Sequence, residues 1–264
     1  RLDQEMVRLG LVESRSVAQA VIADGRVTVD GAPASKAARL VDPAQAVVVA
    51  GPSARFVSRG GLKLEAALER FGLSVEGLRV IDVGSSTGGF TDCLLTSGAE
   101  SVAALDVGRG QLHESLRADP RVEVHERTNV RSVAPEVVGA PFDLLVADLS
   151  FISLRTVMGD LFTLVADGAA MVLLVKPQFE AGKPEVDRGS GVIRDPEVWE
   201  RVLVEVERSI RGHGAAIMEG MVSPITGAYG NVEFLVHVVR GEAPVFEPAL
   251  LVAEATGLTG GGGS

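Results

Sequence analysis

The chain is short of cysteine, of long apolar runs and of positive net charge, and each shortage excludes something. A single cysteine, Cys93, among 264 residues cannot close an internal disulfide, so a reducing, cytoplasmic setting is expected. No apolar run approaches the roughly 18 residues that cross a bilayer, so no membrane span is expected. No signal-like segment follows Arg1, and the absence of an initiating Met reads as a trimmed terminus. The formal net charge of -10 argues at first sight against a nucleic-acid partner. Its distribution weakens that argument. Residues 1–60 hold eight basic against six acidic side chains, a surplus of +2 that leaves -12 for the remainder. Local basic faces govern phosphate binding, whereas net charge speaks mainly to solubility.

What is present is a large core. A hydrophobic content of 46% supports one large domain plus a small one. The first unit is expected over residues 1–50. It reads as a helix from Asp3 to Leu9, a second helix capped by Ser14 or Ser16, then short strands. Gly25-Arg-Val-Thr-Val-Asp30-Gly31 alternates apolar and polar residues and closes on Asp-Gly, a hairpin signal. Gly51-Pro52-Ser53 is a breaker cluster, so 51–59 reads as a linker.

The second unit, 60–245, alternates strands with amphipathic helices. Strands are predicted at 79–83, 101–106, 121–124, 142–148, 170–175, 214–222 and 232–239. Helices are predicted at 89–97, 111–118, 153–166 and 196–211. That alternation means a mostly parallel α/β sheet covered on both faces. The last two strands follow without a helix between them, which predicts an antiparallel pair and a class I methyltransferase fold (Rossmann-like, seven-stranded) rather than a dehydrogenase. Residues 246–264 are expected as a C-terminal tail, with Gly260 to Ser264 flexible. No internal repeat is visible.

Val80-Ile-Asp82-Val-Gly84-Ser85-Ser86-Thr87-Gly88-Gly89-Phe90 is a strand, a small-residue turn and a helix start. Glycines let a backbone pass close to a ligand, and a helix N-terminus favours polar or anionic groups. A dinucleotide turn is disfavoured because Ser86 occupies its second glycine position. Gly84-x-Ser86-x-Gly88 also matches a hydrolase nucleophile elbow, with Asp148 and His213 or His237 as partners. An S-adenosylmethionine turn fits best, because Asp82 and the glycines sit at the first strand. Asp106 ends the next strand, 24 residues beyond Asp82, where an acid can accept both ribose hydroxyls of an adenosine cofactor. Asn129 follows the third strand and is a candidate for contacting adenine.

Three further charged residues interrupt or close apolar strands. Asp148 ends Phe142-Asp-Leu-Leu-Val-Ala-Asp148, Lys176 ends Ala170-Met-Val-Leu-Leu-Val-Lys176, and Glu233 lies in Gly230-Asn-Val-Glu-Phe-Leu-Val-His237. Such groups are expensive to desolvate unless paired, so a cluster is inferred. Each also has a plain structural reading: a helix cap for Asp148, a surface strand end for Lys176, an arginine partner for Glu233. The long stretch Pro177 to Pro196 reads as an irregular substrate-side loop.

Phe56-Val-Ser-Arg-Gly-Gly-Leu-Lys63-Leu, the Gly84–Gly89 turn, Ala147-Asp148-Leu-Ser-Phe151, Val175-Lys176-Pro-Gln-Phe-Glu180 and Ser223-Pro-Ile-Thr-Gly227 together resemble the hemolysin A (TlyA) family. Its members join an S4 RNA-binding domain to an FtsJ-like ribose 2′-O-methyltransferase. Arg1-Leu-Asp3, Ser14-Arg15, Ala18, Ile22 and Gly25 to Gly31 are similar to S4. The resemblance implies that Lys63, Asp148, Lys176 and Glu233 form a catalytic Lys-Asp-Lys-Glu set. Asp82, Gly84 to Phe90, Asp106, Asn129 and Asp148 would then bind S-adenosylmethionine, with no metal. It also implies cytidines of 16S and 23S rRNA, within 30S and 50S subunits, as substrates, and an effect on sensitivity to ribosome-binding peptide antibiotics. Arg1, Arg15, Lys36, Arg59, Lys183 and Arg188 are phosphate candidates. Lys63 stands beside the linker, which suggests that bound RNA brings it into register with the other three. A membrane-active hemolysin, a serine hydrolase through Ser86 and a non-catalytic RNA-binding protein are the alternatives.

Overall fold

A computed structural model describes the chain except residues 13, 24, 51–54, 243–244 and 261–264. The breaker cluster at 51–53 and the end of the glycine tail lie outside the described residues. The chain divides into two compact units, Arg1–Ser58 and Arg59–Ser264.

In the first unit, helices α1 (Leu2–Arg8) and α2 (Arg15–Ala23) pack with a three-stranded antiparallel sheet, β1 (Val27–Val29), β2 (Ala32–Pro33) and β3 (Val47–Val49), in the order β2-β1-β3. Ser14 rather than Ser16 caps α2, its hydroxyl accepting from Val17 N at 3.3 Å. Asp30 and Gly31 turn the β1–β2 hairpin at φ 51° and 79°, the left-handed pair such a link needs. Leu2, Met6, Ala18, Ile22, Val27, Val29 and Val47 form the core.

The second unit opens with α3 (Gly60–Arg70) and then alternates: β4 (Arg79–Val83), α4 (Gly89–Thr96), β5 (Ser101–Leu105), α5 (Glu114–Arg117), β6 (Val122–His125), β7 (Phe142–Ala147), α6 (Leu154–Thr163) and β8 (Val165–Val175). Two short helices, α7 (Pro177–Glu180) and α8 (Lys183–Arg188), precede α9 (Pro196–Gly212), β9 (Ala215–Val222) and β10 (Phe234–Arg240). The sheet order is β6-β5-β4-β7-β8-β10-β9, parallel except that β10 runs antiparallel to both neighbours. This is the methyltransferase arrangement expected from the sequence. Helix α9 buries Val198, Trp199, Val202, Leu203, Val206 and Ile210, a three-to-four-residue stripe that covers one sheet face.

Two expectations need correction. The stretch after Pro177 is not irregular throughout, because two helices of only four and six residues interrupt it. Such lengths are below what periodicity can reveal. The segment from 246 onward carries α10 (Pro248–Gly260), and its Leu251, Val252 and Ala255 are buried in the main core. It is therefore part of the fold up to that helix.

Candidate active site

Strand direction gathers the singled-out residues. β4, β5, β7 and β8 run parallel, so their carboxyl ends put the Gly84–Gly89 turn, Asp106, Asp148 and Lys176 at one edge. β10 returns antiparallel with Phe234 opposite Val175, so Glu233, one residue before, reaches the same edge.

The four charges form two ion pairs. Lys63 Nζ lies 2.5 Å from Glu233 Oε2, and both side chains are almost wholly buried. Lys176 Nζ lies 2.5 Å from Asp148 Oδ1 and donates to Ser150 Oγ at 3.0 Å. Glu233 is thus paired as expected, with a lysine 170 residues away rather than an arginine. A Cβ on Gly227 would collide with the Glu233 carboxylate, so the Ser223–Gly227 segment needs glycine there. Beside it, the buried Asn231 side chain donates to Gly191 O at 3.0 Å and accepts from Ile193 N at 3.1 Å. It ties the loop before α9 to the start of β10.

The glycine turn is built for close approach. Gly84 has φ 85°, and a Cβ there would lie 2.6 Å from the Asp148 carbonyl oxygen. Gly88 caps α4 at φ 97°, where a Cβ would strike Leu112 and Leu116. Asp106 accepts from Ser86 N at 2.8 Å and Gly108 N at 2.6 Å, which locks the turn to the end of β5. Ser85, Gly88, Gly89 and Phe90 are buried, whereas Ser86 and Thr87 face solvent. Asn129 is exposed, and its side-chain oxygen accepts from Arg131 N at 3.0 Å.

Asp82 is fully buried, with Oδ2 accepting from Thr91 Oγ1 at 2.7 Å and Oδ1 without a partner. Burial pushes its carboxyl up to about 7, Asp148 and Asp106 adding to the rise and the Thr91 hydrogen bond opposing it. Below about pH 4 the group is neutral whether the chain is folded or not. As pH climbs from there to about 7, the unfolded chain ionises first, so the folded state loses this contribution. Asp82→Asn is therefore expected to remove a downward slope in melting temperature between pH 5 and about 7. Parallel curves for the two ligand-free proteins would contradict this.

A family profile described as FtsJ-like methyltransferase matches residues 56–240, and the S4 domain profile matches residues 1–47. The chain is 49% identical over 235 residues to the 16S/23S rRNA (cytidine-2′-O)-methyltransferase TlyA of Mycobacterium tuberculosis, covering 89% of this chain and 87% of that protein. The chain belongs to the TlyA family. Hemolysin A of Brachyspira hyodysenteriae is 41% identical, with 90% of this chain and 99% of that one covered. A solved structure titled as a putative hemolysin from Streptococcus thermophilus superposes with a TM-score of 0.81 at 37% identity, over 98% of this chain and 96% of that one.

Other expectations for this TlyA-family chain fall out unevenly. Arg1 and Arg15 both grip the buried Asp3 carboxylate, at 3.1 and 2.9 Å. Burial alone would push Asp3 up, but bonds from Arg15, Arg1 and Gln19 outweigh it and hold the carboxyl at about 2. Lys36, Lys183 and Arg188 are exposed, and Arg59 reaches Thr226 O at 3.4 Å. The hydrolase alternative lacks its geometry. Ser86 Oγ bonds Gln111 Oε1 at 3.3 Å, His213 packs on Phe162, and His237 stacks on Phe71. Among the described residues, no helix is long and apolar enough to cross a membrane.

Sequence reasoning passed over Ser150, Phe151 and Phe179. Phe151 is 92% exposed at φ 65°, a backbone conformation that costs energy for a bulky residue and clusters at functional sites. Its ring lies 5.3 Å from that of Phe179, which sits 5.8 Å from Lys176 Nζ. An aromatic residue three positions after a strand-end acid was the available signal; an aromatic is ordinarily assigned to the core.

Proposed function

We propose that the protein methylates the ribose 2′-oxygen of cytidines in structured 16S and 23S rRNA, with S-adenosylmethionine as donor. The observation that carries this reading is the pair of Lys–carboxylate contacts, Lys176–Asp148 and Lys63–Glu233, at the strand edge beside the glycine turn. When bound, S-adenosylmethionine supplies a methyl group on a positively charged sulfur. The cradle suits it: Gly84 and Gly88 leave no room for side chains, Asp106 stands where a ribose diol is held, and Asp82 has a spare buried oxygen.

A ribose hydroxyl is a poor nucleophile, so its proton must leave as the new O–C bond forms. Lys176 holds the 2′-oxygen and orients it toward the methyl group, and the proton passes to the Lys176–Asp148 pair as the new O–C bond forms. Lys63 neutralises Glu233 and fixes the far side of the site. Phe151 offers a solvent-facing ring on which an unpaired base can stack. The S4 unit supplies backbone and shape recognition through Arg1, Arg15 and Lys36, with Arg59, Lys183 and Arg188 adding phosphate contacts. The site works in the cytoplasm on assembled 30S and 50S subunits, and loss of the activity changes sensitivity to ribosome-binding peptide antibiotics.

The test incubates the protein with labelled S-adenosylmethionine and separate 30S and 50S subunits, then maps ribose methylation. Label at a cytidine 2′-oxygen in each is expected. Label on a base, or none in either subunit, would overturn the reading.

A further inference from the structure

Glu180 is a buried carboxylate that the chemistry above does not use, at 4% exposure. It closes α7, the single helical turn that starts directly after Lys176. Its partners all lie on the other arm of the site, the segment that leaves β7 at Asp148 and enters α6. Oε1 accepts from Leu154 N at 2.6 Å, and Oε2 accepts from Ser153 Oγ at 2.5 Å and from Arg155 Nε at 3.2 Å. Arg155 also donates to the Glu180 backbone carbonyl at 2.8 Å and reaches Glu205 at 2.5 Å. Ser153 in turn accepts from Arg155 N at 3.2 Å as the cap of α6, so Glu180 completes that helix start from outside.

The contacts between the two arms run in step. Lys176 meets Asp148 and Ser150, Phe179 meets Phe151, and Glu180 meets Ser153, Leu154 and Arg155. The first two sets are individually soft: an ammonium can swing on its stem, and a ring contact tolerates sliding. The last set is charge-assisted and multidentate on a buried carboxylate, which makes it the stiff end of the strap. One turn of helix, closed by Phe179 N to Lys176 O at 2.9 Å and Ala181 N to Pro177 O at 2.9 Å, transmits its position to Lys176.

We infer that Glu180 is a positioning residue that sets Lys176 against Asp148 and Ser150 by strapping the arm after β8 to the arm after β7. The inference rests on the proposed role of Lys176. Glu180→Gln keeps the shape but replaces one acceptor oxygen with a donor that faces Leu154 N–H or Ser153 Oγ. Misplacement of a catalytic group by a fraction of an ångström lowers turnover without touching ligand contacts made elsewhere.

In the full-length protein, Glu180→Gln is expected to lower the single-turnover rate on the subunit substrate about 10- to 100-fold. The S-adenosylmethionine dissociation constant and the KM for subunits should stay within a few-fold. In ¹⁵N-lysine spectra, the Lys176 Nζ resonance, assigned by its loss in Lys176→Arg, should move. If Glu180→Gln does not fold, Ser153→Ala removes one strand of the strap and should show the same pattern more weakly. A folded variant with an unmoved Lys176 resonance overturns the inference, whether its rate is normal or falls together with cofactor affinity and melting temperature. Absence of methylation by the wild type would instead sink the proposed function, and the resonance would still decide the strap.

Discussion

Lys176→Ala is expected to reduce methyl transfer by at least about 10²- to 10⁴-fold, the range lost when a positioned proton-transfer group is removed. Binding of S-adenosylmethionine should change little. The expectation follows from where the side chain reaches. Lys176 is 8% exposed, with Nζ at 2.5 Å from Asp148 Oδ1 and 3.0 Å from Ser150 Oγ. The proposed cofactor cradle is built from other segments: the β4 turn, locked by Asp106 to Ser86 N and Gly108 N, and the Thr91-bonded Asp82. Deleting the ammonium therefore removes the group proposed to orient the acceptor oxygen and leaves the glycine turn standing. Lys176→Arg is expected to rescue poorly, because a planar guanidinium presents its donors in a fixed fork rather than at one point. Transfer of tritiated methyl under single-turnover conditions, read beside calorimetric cofactor titration, measures both arms. Normal transfer by Lys176→Ala would remove the proposed mechanism.

How much of this is legible in the sequence depends on the range of the interaction. Strands β4, β5 and β7 came from short apolar runs with punctuating glycines, and their observed limits differ from the predicted ones by a residue at most. Asp148 and Lys176 stood out because a charge at the end of a buried strand needs a partner, and each proved to be the other's. Lys63 was different. It shares a helix with Glu65 and Glu69, a setting ordinary for a solvated lysine, and only the family resemblance singles it out. Its burial comes from Glu233, 170 residues away, and no local pattern encodes a contact of that range. The same holds for Glu180 and Asn231, whose value lies in backbone groups they meet on distant loops. Phe151 was missed for the opposite reason: composition assigns aromatics to cores, and its 92% exposure comes from a left-handed backbone that the sequence does not announce. The C-terminal helix was hidden by the glycines after it, although Pro248 at the helix start was a usable signal.

The Lys63–Glu233 pair should behave as a stability element as well as a catalytic one, and the two roles separate by a double-mutant cycle. The side chains are 10% and 2% exposed, so the Glu233 carboxylate cannot recover its hydration if Lys63 is lost. Lys63→Met leaves the Glu233 carboxylate buried and is expected to cost about 3–5 kcal/mol of unfolding free energy. Glu233→Gln leaves the ammonium stranded, though Lys63 is the more accessible partner and can turn outward, so its cost should be smaller. Replacing both removes the uncompensated charge, and Lys63→Met with Glu233→Gln should regain most of the loss. Neither single variant nor the double should methylate at the wild-type rate. The only tryptophan, Trp199, is 3% exposed in the core of the second unit, so its fluorescence during urea unfolding reports that unit alone. Additive losses across the cycle would mean that the two charges do not depend on each other, and the pair would then have no claim as a unit in either role.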